Sequence, residues 1–344
     1  MTFDIRPLTL VAAILVLAVL APFNAKIAGT FRNFSHEGTF FSLIASVPYA
    51  SLGGGGSSGE TGAGGDDAAS VFGSLPLEAA SAVVWDVGSG QAIFTKNARQ
   101  PRALASLTKL MTAVVGERLA ESATAEERTV PITPEAIREE GDDGFYSGER
   151  FYFSDIRDAM LVKSSNDAAV AIATWAERIL QRPAAGPDAA PPSVTEPVFI
   201  NEMNRVAAEI GLRDTYFLNA TGLDLTSERA GAVGTAEDFA RLFAWVVKQT
   251  PHSIFATQAS GIDIVSLDGG RHHFVSSGER ALEIPGLLGV KTGFTDLAGG
   301  NVAVAWSAFG RSFVAVVLGS SRDGRFEDAR ALYRSTMDFL TAEE

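Results

Sequence analysis

Two adjacent segments, residues 301–309 and 312–318, constrain the fold most, because each is apolar on both faces of an extended chain. In the first segment the apolar side chains of the two faces are Val302, Val304 and Trp306 and, opposite them, Ala303, Ala305 and Phe309. A strand that is apolar on both faces is normally covered on both faces. The two segments form a hairpin around Gly310 and Arg311, so we predict a sheet sandwiched between helices.

A second pair of β-rich segments, residues 81–87 and 91–96, flanks a short turn of glycine and serine and indicates another hairpin. Between the two hairpins the apolar residues have the spacing of helices. The clearest helices are predicted over residues 155–162, 167–180 and 199–210, after a capping box at Thr235, and over about 325–340. This order predicts an α+β fold in which both hairpins share one mainly antiparallel sheet and a helical lobe is inserted between them.

The N-terminal residues predict export followed by a flexible connection. From Leu8 to Leu20 the chain is almost entirely Leu, Val, Ala and Ile, and the full apolar span of about 17 residues is short for a membrane helix and long for a signal core. Residues 1–25 are therefore expected to be either a signal peptide or a retained membrane anchor. Residues 26–70 are expected to be a flexible linker, since they include a Gly/Ser-rich stretch that buries too little apolar surface to fold.

The remaining residues, 71–344, are predicted to form one folded domain that is interrupted by a Pro/Ala-rich loop insertion at 182–197. The net charge of −13 argues against nucleic acid as a partner, since phosphate binding needs clustered Lys and Arg. The chain has no cysteine and only four histidines, so a disulfide, a thiolate nucleophile and a metal site are not expected, nor is any cofactor.

Three short motifs carry the chemistry. They are Ser106-Leu107-Thr108-Lys109, Ser164-Ser165-Asn166 and Lys291-Thr292-Gly293. A helix that starts near Ser106 places the Lys109 amine on the face of the Ser106 hydroxyl and leaves backbone N–H groups free for an oxyanion. Each motif alone has a simpler explanation, as a helix cap with a solvated lysine, a capping turn or a strand end. Together they supply the components of a serine acyl-transfer enzyme that uses lysine as its base.

With these motifs the chain resembles the low-molecular-mass penicillin-binding proteins, which form the serine D-alanyl-D-alanine carboxypeptidase family. The resemblance runs from about Leu77 to Leu340, and its most similar segments are residues 85–90, 105–113, 148–149, 165–169, 219–223 and 289–295. It implies a β-lactamase/transpeptidase-like α+β fold, with a central, mainly antiparallel five-stranded sheet covered by helices on both faces. Residues 71–344 would then be the serine D,D-peptidase catalytic domain.

The resemblance also implies a role for each catalytic residue. Ser106 would attack the D-Ala-D-Ala carbonyl, and Lys109 would accept its proton. Ser164 would relay a proton to the leaving amine, and Asn166 would position the substrate and Lys109. A base must be partly neutral, and burial together with the neighbouring Lys291 is expected to lower the pKa of Lys109.

The third motif is expected to bind substrate. The resemblance assigns Lys291 to the electrostatics of the site and Thr292 to the terminal carboxylate of the substrate. Gly293 would let a substrate backbone approach the strand closely. The backbone N–H groups of Ser106 and Phe294 would form the oxyanion hole.

Three departures from the family pattern stand out. Ser165 replaces a glycine found in many carboxypeptidases, and we expect it to narrow the cleft. Residues 234–236 read Gly-Thr-Ala where the family usually has Ser-Thr-Ala. The chain has no counterpart of the C-terminal β domain and amphipathic anchor of many relatives, so any attachment to a membrane is expected through the N-terminal segment.

The first functional hypothesis is a D-Ala-D-Ala carboxypeptidase that acts on peptidoglycan stem peptides in the extracytoplasmic cell envelope, in the periplasm or on the outer face of the cytoplasmic membrane. β-Lactam antibiotics would be covalent inhibitors. A D,D-endopeptidase acting on cross-linked peptidoglycan remains open, because the two activities differ in cleft shape. A β-lactamase would need a deacylating base, for which no clear glutamate-bearing motif is present. An inactive penicillin- or peptidoglycan-binding module is the last alternative.

Overall fold

Five antiparallel strands form the central sheet of the computed structural model, which describes residues 71–73, 75–141, 143–181 and 197–342. The strands of the described chain are β1 (Ser81–Asp86), β2 (Gln91–Lys96), β3 (Arg102–Ala103), β4 (Thr129–Pro131), β5 (Arg150–Tyr152), β6 (Tyr216–Phe217), β7 (Ala232–Gly234), β8 (Gly261–Val265), β9 (Arg271–Val275), β10 (Leu287–Thr295), β11 (Gly299–Ala308) and β12 (Arg311–Ser320). The central sheet has the order β10-β11-β12-β1-β2, and each neighbouring pair is antiparallel. Both predicted hairpins therefore share one five-stranded sheet, which confirms the sequence-based architecture.

Six long α-helices accompany these strands in the described chain. They are α1 (Lys109–Ser122), α2 (Phe153–Lys163), α3 (Asn166–Leu180), α4 (Val198–Ile210), α5 (Ala236–Gln249) and α6 (Gly324–Ala342). A 3-10 helix, Ala105–Thr108, runs directly into α1. The first five helices lie between β2 and β10 in the chain, which is the position predicted for the inserted lobe.

The two faces of the central sheet have separate hydrophobic cores. Val302, Val304 and Trp306 of β11 pack with α6 on one face, and Trp306 is completely buried. Ala303 and Ala305 of the same strand pack with the helical lobe on the other face. The alternation of large and small side chains thus divides one strand between two cores, as its pattern predicted.

Phe309 was expected on a covered face, and this prediction is wrong. Residues Ala308 and Arg311 are the last pair of the β11–β12 hairpin, so Phe309 and Gly310 form its two-residue turn. Both have positive φ, 49° and 71°, as a type I′ turn requires. A residue in such a turn projects away from the sheet, and Phe309 is 56% exposed.

The predicted helix ends are largely confirmed. Gly211 ends α4 in the left-handed conformation with φ of 88°. Thr235 Oγ1 caps α5 by accepting from Asp238 N at 3.0 Å. The Asp238 carboxylate accepts from Asp214 N and from the Thr215 hydroxyl, so it anchors α5 to the segment before β6.

The predicted N-terminal segment (1–25), the predicted linker (26–70) and residues 182–196 of the predicted insertion lie outside the described residues. Among the residues that are described, every helix is too short or too polar to cross a membrane.

Candidate active site

The first motif lies in a strained turn rather than in the first turn of an α-helix. Ser106 belongs to the 3-10 helix between β3 and α1, and the preceding Ala105 has a φ of 49°, in the left-handed region that non-glycine residues rarely adopt. Gly222 packs directly on this turn, since a Cβ atom there would fall 1.9 Å from the carbonyl oxygen of Ala105. Close packing holds the turn in its strained conformation, which is a common property of functional sites.

Lys109 is fully buried and uses all three of its ammonium donors within the site. Its Nζ donates to Ser106 Oγ at 2.8 Å, to Asn166 Oδ1 at 2.7 Å and to the carbonyl oxygen of Thr221 at 2.8 Å. Burial lowers the pKa of Lys109 to about 7, which confirms that part of the prediction, while the predicted contribution of Lys291 to this pKa stays a prediction. A large fraction of the amine is therefore neutral near pH 7, within hydrogen-bonding distance of a hydroxyl group.

The second motif occupies the junction between α2 and α3, as predicted. Ser164 ends α2 with a φ of 68°, and Asn166 begins α3. Three atoms of Asn166 are held: Oδ1 accepts from Lys109, Nδ2 donates to Glu140 O at 2.6 Å, and the backbone N donates to Asp143 Oδ2 at 3.1 Å. The loop that contains Glu140 and Asp143 therefore fixes the amide that orients Lys109.

Ser165 does not narrow the cleft, so that expectation is wrong. Its hydroxyl accepts from Ala168 N at 3.0 Å and caps the N-terminus of α3. The residue is buried, because this bond draws the side chain back along the helix.

The third motif lies in the middle of β10 rather than at a strand end. Lys291 is buried, and its Nζ donates to Ser164 Oγ and to the carbonyl oxygen of Thr292, both at 2.7 Å. Burial lowers the pKa of Lys291 well below its ordinary value, and the positive charges of Lys109 and Arg325 lower it further. Lys291 thus links β10 to the second motif and lies within electrostatic reach of Lys109.

Gly293 brings β10 against the nucleophile turn. A Cβ atom at this position would lie 3.0 Å from Leu104 O and 3.1 Å from Ser106 N. In this structure the glycine therefore makes room for the turn that carries Ser106, and the close approach of a substrate backbone stays a prediction. Phe294, the next residue, is 37% exposed, and the guanidinium of Arg322 lies 3.9 Å from the centroid of its ring.

All eight predicted site residues therefore lie in one continuous cluster. Hydrogen bonds join Ser106, Lys109 and Asn166, and a second set joins Ser164 and Lys291. Close packing of Gly293 on Ser106 joins the two sets. A nucleophile, a partly neutral amine and a buried cation on a strand can together perform nucleophilic acyl transfer.

Three further contributors were missed from the sequence. Thr221 acts through its carbonyl oxygen, which no side-chain motif reveals, although its segment was noted as similar to the family. Asp143 contacts Asn166 from a loop of acidic residues with no regular spacing. Arg325 lies in the first turn of α6, is buried, and donates through Nη1 to Gly293 O at 2.6 Å.

Arg325 adds positive charge beneath β10. Burial lowers its pKa to about 10, which still leaves it charged at neutral pH. Its buried Nε has no hydrogen-bond partner among the described residues. Across all of the described residues, no group of three His, Asp or Glu side chains is arranged to hold a metal ion.

Comparison with known sequences identifies one family. A sequence model of D-alanyl-D-alanine carboxypeptidase matches residues 69–322. The D-alanyl-D-alanine carboxypeptidase DacD of Escherichia coli is 29% identical over 279 residues, which are 75% of this chain and 63% of that protein. DacF of Bacillus subtilis is 28% identical over 250 residues, which are 72% of this chain and 59% of that protein. The chain therefore spans about three fifths of the length of these relatives.

Comparison with solved structures confirms the predicted fold. A penicillin-binding protein from Listeria monocytogenes in its cefotaxime-bound form is 26% identical with a TM-score of 0.60, and the match covers 77% of this chain and 99% of that chain. The D-alanyl-D-alanine carboxypeptidase DacD from Francisella tularensis has a TM-score of 0.63 at 22% identity, over 76% of this chain and 71% of that chain. At that level of identity the second match supports the fold alone.

Proposed function

The chain belongs to the D-alanyl-D-alanine carboxypeptidase family, and from this premise we propose that it is a serine-type D-Ala-D-Ala carboxypeptidase acting on the stem peptides of peptidoglycan. One observation carries the proposal. The buried Lys109 amine, with a pKa of about 7, lies 2.8 Å from the hydroxyl of Ser106. A partly neutral amine next to the serine hydroxyl can act as the general base that activates the serine in place of histidine.

In the acylation step, Ser106 Oγ attacks the carbonyl carbon of the penultimate D-alanine while its proton passes to neutral Lys109. The bonds from Lys109 to Asn166 and Thr221 hold the amine toward the hydroxyl throughout this transfer. The oxyanion that forms on the carbonyl oxygen is stabilised by the backbone N–H groups of Ser106 and Phe294. Collapse of this intermediate breaks the C–N bond and leaves an ester on Ser106.

The leaving amine must gain a proton when the C–N bond breaks. Ser164 is suited to relay it, because its hydroxyl accepts from Lys291 at the junction of α2 and α3. The hydroxyl gives its proton to the amine and takes the proton that Lys109 removed from Ser106, so Lys109 is neutral again. Water then attacks the ester carbonyl, and Lys109 removes a proton from that water as it did from Ser106. Lys109 returns this proton to Ser106 Oγ as the ester bond breaks, which releases the shortened stem peptide and restores the free serine.

The terminal carboxylate of the substrate binds at Thr292 in this proposal. The position is supported by two buried cations, since Lys291 precedes Thr292 and Arg325 donates to the adjacent Gly293. Arg325 is charged at neutral pH and therefore adds positive charge beneath the strand. A free carboxylate at the C-terminus of the donor is therefore a requirement for efficient acylation.

β-Lactam antibiotics are proposed to acylate the same serine as covalent inhibitors. They carry a carboxylate and a reactive amide in the positions that the D-Ala-D-Ala end would occupy. The similar Listeria protein was solved in cefotaxime-bound and ampicillin-bound forms, which supports this class of ligand for the present fold.

A D,D-endopeptidase on cross-linked peptidoglycan is the second candidate, because it would use the same residues on a larger substrate. A β-lactamase and an inactive binding module are less well supported. The buried amine beside Ser106 argues against an inactive site, and the matched relatives are named as carboxypeptidases. The proposed location is the cell envelope, reached by export through residues 1–25, with attachment to the membrane if that segment is retained.

The test is to incubate the purified protein with a labelled penicillin and to locate the adduct by mass spectrometry. A long-lived adduct on Ser106, with release of D-alanine from a pentapeptide, is the expected result. Rapid turnover of the drug would indicate a β-lactamase, and the absence of an adduct would indicate an inactive module. Cleavage of a cross-linked dimer in preference to the pentapeptide would favour the endopeptidase.

A further inference from the structure

Ser277 lies outside the three motifs, yet its side chain contacts the hydroxyl of Thr292. The two oxygens, Ser277 Oγ and Thr292 Oγ1, are 2.9 Å apart, and either can donate. Ser277 also contacts Val162 O twice, through Oγ at 3.1 Å and through its backbone N at 2.8 Å. Val162 lies two residues before Ser164, so Ser277 joins the second motif to the third.

The number of protons in this cluster limits what Thr292 can do. A hydroxyl group has one proton to donate, and a carbonyl oxygen can only accept. When Ser277 Oγ donates to Val162 O, the bond between the two hydroxyls must be donated by Thr292. The single proton of Thr292 is then directed into the protein, and it is not available for a carboxylate.

A second arrangement of the same atoms makes that proton available. If Ser277 Oγ donates to Thr292 Oγ1, the proton of Thr292 is free to turn toward a ligand. Val162 O keeps its bond from the backbone N–H of Ser277, so no buried carbonyl loses its last partner. The two arrangements differ only in the rotation of two O–H bonds, and no heavy atom has to move.

We propose that Ser277 is a positioning residue for the carboxylate of the acyl donor, and that it acts by setting the direction in which Thr292 donates. This inference rests on the proposed function, because it takes Thr292 as the carboxylate-binding residue. In the ligand-bound arrangement Thr292 accepts from Ser277 while it donates to the carboxylate. Hydrogen bonds arranged in such a chain strengthen one another. The ligands affected are those with a free carboxylate next to the scissile amide, whether peptide or β-lactam.

The test compares one penicillin with the same penicillin as its carboxylate methyl ester, using the second-order rate constant for acylation of Ser106. For Ser277→Ala we expect this constant to fall about 3- to 10-fold with the free carboxylate, which is the range for one net hydrogen bond, and to be unchanged with the ester. Ser277→Thr, which keeps the hydroxyl, restores the wild-type value. Ser277→Cys keeps the volume but donates weakly, so it gives an intermediate loss and serves as a second variant.

Ser276→Ala is the matched control. This neighbouring serine is also buried, and its hydroxyl accepts from Gly278 N at 3.1 Å without contacting the third motif. Its removal should leave both rate constants unchanged. An equal loss with acid and ester in Ser277→Ala would indicate a merely structural role and overturn the proposal, as would no loss with either. If the wild-type protein formed no adduct at all, the proposed function would fail and the role of Ser277 with it.

Discussion

Lys109 and Lys291 are buried in the same site, but charges of opposite sign surround them. Asp143 and Glu139 lie near Lys109 and raise its pKa, against the larger effect of burial. Cations lie near Lys291, and the charges of Lys109 and Arg325 add to the lowering of its pKa by burial. The comparison teaches that burial lowers the pKa of both ammonium groups, while the charged neighbours of Lys109 oppose this effect and those of Lys291 add to it.

A bound carboxylate should reduce this difference in surrounding charge. Negative charge at Thr292 favours the protonated form of Lys291, the residue next to it in β10. Two ammonium groups that repel each other titrate as a pair, so a proton on Lys291 favours the neutral form of Lys109. We therefore expect the acyl donor itself to help prepare the base. Four substitutions examine this difference between the two lysines.

Lys109→Ala should have the largest effect. Loss of a general base slows acylation by at least about 10²-fold, and this should hold across the pH range because no other group replaces the amine. The measurement is the rate of adduct formation with a labelled penicillin, alongside thermal unfolding to establish that the variant folds. Ser106→Ala, which cannot form the adduct, is the control. Acylation at the wild-type rate would remove Lys109 from the mechanism.

Lys291→Ala should have a smaller effect with a different pH dependence. Loss of a charged hydrogen-bond donor to Ser164 slows acylation about 10- to 100-fold at pH 7. The variant also removes a positive charge near Lys109, so the pKa of Lys109 rises and the increase of rate with pH moves to higher pH. A rate–pH profile of the variant against the wild type measures both effects. A profile that is reduced in height but unmoved along the pH axis would show that the two lysines do not interact.

Asp143→Asn should change the pH dependence in the opposite direction. In the wild type, acylation should increase with pH through about 7, because Lys109 must lose its proton to act as a base. Asp143 raises the pKa of Lys109, so its neutral replacement lowers that pKa while Glu139 and Lys291 remain in place. The rate at pH 6 should therefore rise about two- to threefold, with no change at pH 9.

Glu135→Gln is the control for this variant, since Glu135 is exposed and does not contribute to the pKa of Lys109. A lower rate at every pH in Asp143→Asn would mean that the carboxylate acts mainly by holding the backbone N–H of Asn166. In that case the charge of Asp143 would not be what distinguishes Lys109 from Lys291.

The fold could be predicted from the sequence in those elements that the spacing of apolar residues alone defines. The residues of β11 alternate between two cores, and this alternation required a sheet covered on both faces. Phe309 was wrongly predicted to lie on a covered face of the strand, because its apolar side chain is typical of a strand. The pairing of Ala308 with Arg311 instead places Phe309 in the two-residue turn, where its φ is positive. The strands β3, β6 and β7 are two or three residues long, too short for any periodicity to appear.

The site could be predicted only where a side chain belongs to a motif. Lys109 and Lys291 were identified in this way, and their convergence followed from the resemblance to one family. Thr221 contributes a carbonyl oxygen, which every residue type has, so its side chain carries no signal, and only the resemblance of residues 219–223 to the family pointed to this segment. Arg325 and Ser277 reach β10 from separate elements, and only the packing of α6 and of the segment after β9 brings them there.

Ser165→Ala should have the smallest effect on acylation, although the residue lies between the partners of the two lysines. Ser164 accepts from Lys291 and Asn166 accepts from Lys109, while Ser165 only caps α3. Loss of the cap should lower the free energy of unfolding by about 1 kcal/mol, and Ser165→Gly by only a few tenths. Urea unfolding measures this change, and acylation should stay within about twofold of the wild type, because both lysines keep their own contacts. A tenfold slower acylation would mean that the start of α3, rather than the local charges, sets the difference between Lys109 and Lys291.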